Sequence, residues 1–521
     1  MAAIVTDQFR ILNANNFVET VENSANSYYV VVGLANPEPA SVGFGRVDDW
    51  DNKTPNPRDS INYMNHVGDT QIFGKKITSA NIRRLIKRRD WKQGTKYEMY
   101  RHDYSADKLS PISGKSRLYD TSYYVMNKNF DVYVCIDNGS SGITTTGNAS
   151  QDEPLFTDLE PSRAGESGDG YIWKYLFTVP PSDIIKFDST EFISVPGNWP
   201  TSSETQIQSV RENGDSTINN NQIKKVYIDK QGSGYTENQV GVEVDIIGDG
   251  TGGKVVLDTD SDGKIVRANV SSGGQGYTYG MVDLKPIGND TVNTRAKLIP
   301  IIPPSRGHGF DLYKELGTDK LLIFARFDSS SKDFPTDTKF SQITIVKNPT
   351  SIGSTQVFSE NQFSSVNAIK VIDPSGEPEI GNKMTQNVTG GVAKGYIVSY
   401  DSDTQVVKYY QDRSLYFNQT TKDQEDYANV ESVSRVLPFE SSAVEINVTG
   451  GFSFKVDQNF TGISTTSSNG NKVVSLGVNF TNGLASPEIN KGSGEIVYLD
   501  NRPLITRNSR QKEDIKIILE F

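Results

Sequence analysis

The chain has 521 residues, a net charge of −11 at pH 7, 35% hydrophobic residues and one cysteine, Cys135. The acidic balance argues against a general nucleic-acid binder, which needs a basic face to displace counterions, and a single cysteine excludes an intrachain disulfide framework. The length predicts roughly three to four domains, and 24 Tyr, 23 Phe and 45 Gly favour a turn-rich β architecture.

Met1–Arg10 has no apolar signal core, and no apolar run approaches the ~18 residues of a membrane span. The expectation is a chain that folds in a reducing cytoplasm without membrane insertion. Ser27–Gly33 reads as a buried strand. Gly43-Phe44-Gly45 and the Pro55/Pro57 region read as an ordered loop. Thr78–Trp91 is the best helix candidate, with Thr78 or Ser79 as cap and Ile82, Leu85 and Ile86 at i, i+3, i+4 spacing. That stretch carries Arg83, Arg84, Lys87, Arg88 and Arg89. Five cations in seven positions fit a solvated face with cations near a helix C-terminus, a contact with an acidic partner, or a nucleic-acid contact.

Tyr123–Met126 and Asp131–Ile136 read as strands, and 137–168, rich in Gly, Ser, Thr and acids, as a long surface loop. The first domain is expected to form around Gly168–Pro181. This stretch opens on Gly168-Asp169-Gly170, a turn signal, and closes on Pro180-Pro181, which cannot donate to a sheet ladder. Between them Tyr171, Trp173, Tyr175 and Phe177 alternate with Ile172, Lys174 and Leu176, which predicts a strand buried on both faces. Glu191–Pro196 is a further short strand, and composition shifts near 200–220 towards Ser, Asn, Thr and Gln, a domain boundary.

Residues 223–287 hold an internal repeat: Gly232-Ser-Gly-Tyr-Thr236 recurs as Gly274-Gln-Gly-Tyr-Thr278, and Ile228, Val240 and Val242 recur as Val270, Val282 and Leu284. Two copies predict a small all-β module that pairs its units to bury a core. Further on, Ala296–Pro304 is apolar and Leu312–Leu316 reads as a short helix. Leu321–Phe327 and Phe340–Val346 read as strands. Residues 352–485 read as another β-rich block with a hairpin signal over Gly390–Tyr410. Glu495–Leu499 and Ile515–Phe521 are two closing strands, the second expected to dock in a sheet.

Motifs of known chemistry mostly dissolve on inspection. Gly248-Asp-Gly-Thr-Gly-Gly253 matches a dinucleotide fingerprint in letters, but strand-like Lys254–Leu257 follows where a helix must begin; a hairpin loop explains it. Asp258, Asp260 and Asp262 resemble half a calcium loop, but Asn269 stands at the bidentate twelfth position, so an Asp-Gly turn is favoured over adventitious calcium. Gly114-Lys115-Ser116 lacks the leading Gly of a phosphate loop. His66, His102 and His308 have no zinc spacing, and His308 is expected to serve a structural hydrogen bond rather than act as a base. No catalytic, cofactor-binding or metal-ligating residue is assigned.

Five stretches in order carry a resemblance: Ala3–Arg10; Ile86–Trp91; Gly168–Phe177 with Pro180-Pro181; Phe340–Ile345 with Asn348-Pro349; and Gly494–Pro503 with the closing Ile515–Phe521 strand. Together they resemble the gene-product-eight family of baseplate wedge proteins in T-even-like contractile-tailed phages. The resemblance covers about 1–200, 296–350 and 486–521. The organisation it implies is mainly β with minor α (α+β), a discontinuous β-rich core (1–200, 296–350, 486–521) carrying two inserted all-β modules (201–295, 351–485). It implies a structural, non-enzymatic role without cofactor: a homodimeric wedge subunit that contacts other wedge proteins and adjacent wedges and rearranges on tail contraction. It marks Asp169, Tyr171, Trp173, Tyr175, Phe177, Asn501, Arg502 and Pro503 as the shared core motif, and the location it implies is the virion tail baseplate after assembly in the host cytoplasm. Arg83, Arg84, Lys87, Arg88 and Arg89 are then candidates for docking an acidic wedge neighbour. A receptor- or glycan-binding tail adhesin and, behind it, a tail-associated glycosidase are the alternatives.

Overall fold

A computed structural model describes residues 4–35, 49–214, 216, 219–288, 294–328, 338–412, 436–470, 472–507 and 511–521. In chain order the elements are α1 (Asp7–Glu22), β1 (Tyr28–Gly33), α2 (Ile61–Thr70), β2 (Gln71–Ile77), β3 (Ile82–Lys87), β4 (Tyr124–Met126), β5 (Asp131–Asn138), β6 (Tyr171–Thr178), α3 (Pro181–Lys186), β7 (Phe192–Val195) and α4 (Thr205–Gly214). The repeat block gives β8 (Val226–Lys230), β9 (Val242–Gly248), β10 (Thr251–Thr259), β11 (Ile265–Gln275), β12 (Gly280–Val282) and β13 (Lys297–Pro300). Then come α5 (Leu312–Glu315), β14 (Lys320–Phe327), β15 (Lys339–Lys347), β16 (Gln362–Ser364), β17 (Asn367–Ile372), β18 (Lys383–Val388), β19 (Gly391–Asp401) and β20 (Val406–Tyr410). The chain closes with β21 (Ile446–Val448), β22 (Phe452–Val456), β23 (Gly462–Thr466), β24 (Val473–Phe480), β25 (Leu484–Ala485), β26 (Glu495–Thr506) and β27 (Glu513–Glu520). The fold is mainly β with few helices, as expected. The predicted Gly43–Gly45 loop lies outside the described residues.

The chain divides into two compact units: 1–16, 83–322 and 518–521 form unit 1, and 17–82 and 323–517 form unit 2. The expected core is therefore shared out: 83–200 lies in unit 1, whereas 17–82, 323–350 and 486–517 lie in unit 2.

In unit 1, β4, β5 and β6 form an antiparallel sheet in that order, with Tyr133 opposite Tyr175 and Cys135 opposite Trp173. Tyr123, Tyr133, Tyr171, Trp173, Tyr175 and Phe177 are buried together with Trp199 in one cluster. β6 is buried on both faces: Tyr171, Trp173 and Tyr175 share one face, Lys174 takes the other, and a bulge at Leu176 puts Phe177, opposite Val132, on the Lys174 face; Leu176 and Lys174 are 0% and 3% exposed. Ile207 and Val210 of α4 pack into the same cluster. The repeat block builds a second cluster of its own between Ile223 and Ile302. Its copies do pair: their second strands, β9 and β12, run antiparallel with Ile246 opposite Val282. Gly234 and Gly276 occupy equivalent turns at φ 86° and 74°, a region that excludes most side chains. The tyrosine after each is buried, and its hydroxyl accepts from a backbone N–H: Tyr235 from Ala296 at 2.9 Å, Tyr277 from Gly253 at 3.0 Å.

In unit 2, a five-stranded sheet has the order β16-β2-β1-β15-β26. It joins two of the family-like stretches directly: β15 and β26 are antiparallel, with Gln342 opposite Asn501 and Ile345 opposite Tyr498. A seven-stranded sheet, β20-β19-β18-β21-β22-β17-β25, contains the hairpin predicted over Gly390–Tyr410 as β19 and β20.

One expected element is overturned. Thr78–Trp91 is not a helix: Ser79–Asn81 is a single 3-10 turn and Ile82–Lys87 is the strand β3, paired antiparallel with β7. Thr78 stands at the N-terminal end of that turn only, its Oγ1 donating to Asn81 Oδ1 at 2.8 Å. Ile82, Arg84, Leu85 and Ile86 are all buried, so both strand faces carry inward residues and the period-2 signal is lost in a spacing that mimics a helix. The structure adds the helices α1, α2, α3 and α4, none of which is expected from the sequence. In α1 the buried Ile11, Ala14, Val18 and Val21 have helical spacing, but Phe9 and Leu12 lie exposed on the other side and blur the pattern.

Candidate functional site

The centre of unit 1 is built outward from β6. Asp169 starts the strand: one carboxylate oxygen accepts from Tyr171 N at 2.9 Å and the other from Gln151 N at 2.8 Å, pinning the preceding loop. Tyr171 Oη accepts from Tyr97 N and donates to Asn148 O. Tyr175 Oη is 2.8 Å from Thr178 Oγ1, which donates to Asp131, and Phe177 meets Trp199 edge-on at 6.5 Å. Apart from the indole Nε1 of Trp173, which finds no acceptor among the described residues, these contacts spend the polar groups of the motif on holding strands and loops, an arrangement suited to rigidity. Lys174, on the face opposite Tyr171, Trp173 and Tyr175, donates to Leu159 O and to Asn213 Oδ1 at 2.7 Å. Burial pushes its ammonium down to about 8.

In unit 2 the rest of the expected motif is likewise tied in. Asn501 Nδ2 donates to Tyr63 Oη at 3.0 Å and Pro55 O at 3.1 Å, and its Oδ1 accepts from Gln342 at 3.0 Å. Arg502 pairs with Asp500 at 2.6 Å, and its carbonyl accepts from the indole of Trp50. Pro503 continues β26. The structure thus places the eight motif residues in two groups, five in unit 1 and three in unit 2.

The five cations sit on or just after β3, each with partners inside unit 1. Arg83 Nε donates to Asp183 at 2.7 Å. Arg84, 5% exposed, donates to Asn15 and lies 3.9 Å over the Tyr313 ring. Arg89 donates to Thr121 O and covers Tyr124. Lys87 and Arg88 pair with Asp120 and Asp90 at 3.4 and 3.1 Å and keep 52% and 27% of their side chains exposed. Beside Lys87, a cleft of about 150 Å³ also includes Arg117, Lys320, Asp120, Asp319 and Glu520, an evenly charged lining. Apart from Asp90, two residues from Arg88, these partners lie far from the cations in the sequence: Asp183 stands a hundred residues from Arg83.

The histidines and acidic turns are absorbed locally. His308 Nδ1 is 2.7 Å from Glu315 Oε1, and Glu315 Oε2 accepts from Gly309 N. His102 Nδ1 accepts from Ile302 N, and His66 lies 3.2 Å from Asp412. Asp260 closes the β10–β11 turn by accepting from Asp262 N and Lys264 N. Between β9 and β10, Asp249 accepts from Thr278 and Tyr279, and these bonds, the Thr278 hydroxyl first, pull its carboxyl down to about 2. Among the described residues no group of three His, Cys, Asp or Glu could hold a metal ion.

Residues 134–233 match the protein family described as "Bacteriophage T4, Gp8". This span runs from β5 through β6, α3, β7 and α4 into β8. The chain is also 25% identical over 220 residues to the "Baseplate wedge protein gp8" of Enterobacteria phage T4, which takes in 38% of this chain and 61% of the relative. The chain therefore spans less than two thirds of that relative's length. Both findings bear out the resemblance drawn from the five stretches.

Proposed function

We propose that this chain is a non-enzymatic structural subunit of a phage tail baseplate wedge. It acts as a homodimer that joins neighbouring wedge proteins and adjusts its contacts when the tail contracts, and it reaches the virion from the host cytoplasm. The observation that carries this reading is the coincidence of the matched span 134–233 with the aromatic body around β6, where polar groups serve rigidity. The named relative is a baseplate wedge protein. A rigid sheet scaffold with an isologous patch suits a closed dimer, and polar contacts at its rim suit repacking. Lys87 and Arg88 are the cations with exposure to spare for an acidic neighbour.

Co-expression of the full chain with the other wedge proteins of its phage tests this. The expected result is a stable complex containing two copies of the chain, lost or weakened on reversal of Lys87 and Arg88 to Glu. A chain that stays monomeric and unbound with every wedge protein contradicts the reading.

A further inference from the structure

Lys174 meets the end of α4 in an arrangement that a plain hydrogen bond does not require. Its Nζ donates to Asn213 Oδ1 at 2.7 Å, so Asn213 Cγ, ~1.2 Å beyond that oxygen, lies no more than about 3.9 Å from the amine. Glu160 stands on the other side of the same carboxamide, its Oε1 accepting from Asn213 Nδ2 at 2.8 Å. Asn219 Nδ2 donates to Asn213 O at 3.1 Å and fixes the residue further. An amine, a carboxamide carbon and a carboxylate at the amide nitrogen are thus held together. Lys174 is 3% exposed and makes no ion pair among the described residues. Burial and Lys224 press its ammonium down to about 8 against the opposing pull of Glu160 and Glu315, so about a tenth of the amine is neutral at pH 7. Lys224, Asn219 and Glu160 repeat the pattern at 2.7 and 2.8 Å. Lys224, however, also pairs with Glu160 at 3.6 Å and keeps 23% of its side chain exposed, and that contact favours its ammonium. Lys174 is therefore the better nucleophile.

We propose that the folded chain joins Lys174 to Asn213 through an amide bond between their side chains. A small turn of the carboxamide presents the face of Cγ, and the lone pair of the neutral Nζ attacks it. The proton that Nζ then sheds passes through Glu160 to Nδ2. The Nζ–Cγ bond forms, the Cγ–Nδ2 bond breaks, and Nδ2 leaves as ammonia; nothing is oxidised or reduced and no second reactant is consumed. Placement stands in for activation of the carboxamide, since well-oriented intramolecular partners reach effective molarities of about 10⁵–10⁸ M. The product fastens β6 to the end of α4 across 39 residues of sequence. The small neutral fraction of the amine makes joining gradual, so in freshly folded chain Lys174 still titrates. The inference stands on this cluster alone and does not depend on the baseplate reading.

Intact-mass spectrometry of the full chain, followed over days at about pH 8, tests it. The expected result is a loss of ~17 Da in the folded chain and none in denaturant. Trypsin should then release peptides 164–186 and 212–224 joined through Lys174. Asn213→Ala should abolish the joined peptide, and Glu160→Gln, which still accepts from the amide but carries no proton across, should slow its appearance at least about tenfold. Folded chain that yields no joined peptide overturns the inference, and so does an unchanged rate in Glu160→Gln. The same mass loss with the two peptides separate also overturns it, because ring closure of Asn213 onto the Gly214 nitrogen or a bond between Lys224 and Asn219 would then account for the ammonia.

Discussion

Tyr171 and Trp173, two residues apart on β6, lie stacked with ring centroids 5.3 Å apart and planes 14° from parallel. Both are essentially buried, at 1% and 0% exposure, and Trp173 also meets Tyr97 edge-on at 5.8 Å. Trp173→Ala removes this packing and should destabilise unit 1 by about 3–5 kcal/mol. The indole Nε1 of Trp173 is buried without an acceptor among the described residues, so Trp173→Phe discards an unpaired donor along with volume. It should cost less than half as much. Denaturant unfolding of the two variants measures both values.

Lys174 gives unit 1 a pH signature. Its folded value of about 8 lies below the ordinary lysine value, which is ~10.4. Between the two the unfolded chain binds more protons, so this group's contribution makes stability rise with pH from about 8 to about 10.4, and is flat below 8. The slope is at most about 1.4 kcal/mol per pH unit. Lys174→Met removes it. The stability of the variant minus that of the parent should therefore fall as pH rises through this window. A constant difference would mean that the ammonium is not held at cost.

Asn501 ties β26 to β15, to Tyr63 and to Pro55 through three hydrogen bonds. Asn501→Ala strands buried partners, each worth about 1–3 kcal/mol. Amide exchange in β15 and β26 should quicken by more than tenfold, with little change in β4–β6. Uniform acceleration through both units would contradict a local role.

Lys230 and Lys297 face each other at the closed end of the β8–β13 pair. Replacing 231–296 by an Asn-Gly turn should convert this pair into a hairpin and remove most of the Ile223–Ile302 cluster. The aromatic cluster around Trp173 should stay folded, since closing the ends of an insertion that already meet costs little. Near-ultraviolet circular dichroism reports on it: retention of the aromatic signal is expected, and its loss would make the module part of that core.

How much of this could be read from the sequence depends on where the partners lie. β6 was legible because its alternation and its bounding Gly and Pro are local. The repeat was legible because the same two turns need the same glycines and the same buried tyrosine. The strand β3 hides from the sequence because Arg84 points inward, a charged residue whose partners, Asn15, Gly197 and Tyr313 among them, lie far along the chain. The polar composition of 200–220 hides α4, because Ile207 and Val210 are its only large buried apolar residues. For the cations, residue type alone suggests an outward face; the buried Asp183 draws Arg83 inward, whereas Asp120 and Asp90 pair with Lys87 and Arg88 at the surface.

The central claim is that this chain is a building block of a tail baseplate. A density map of the baseplate in purified particles of its phage tests it most directly. The account predicts that β4–β6 and the β15–β26 pair fit wedge density, repeated around the tail axis. Particles with complete baseplates and no density or mass for this chain would contradict it.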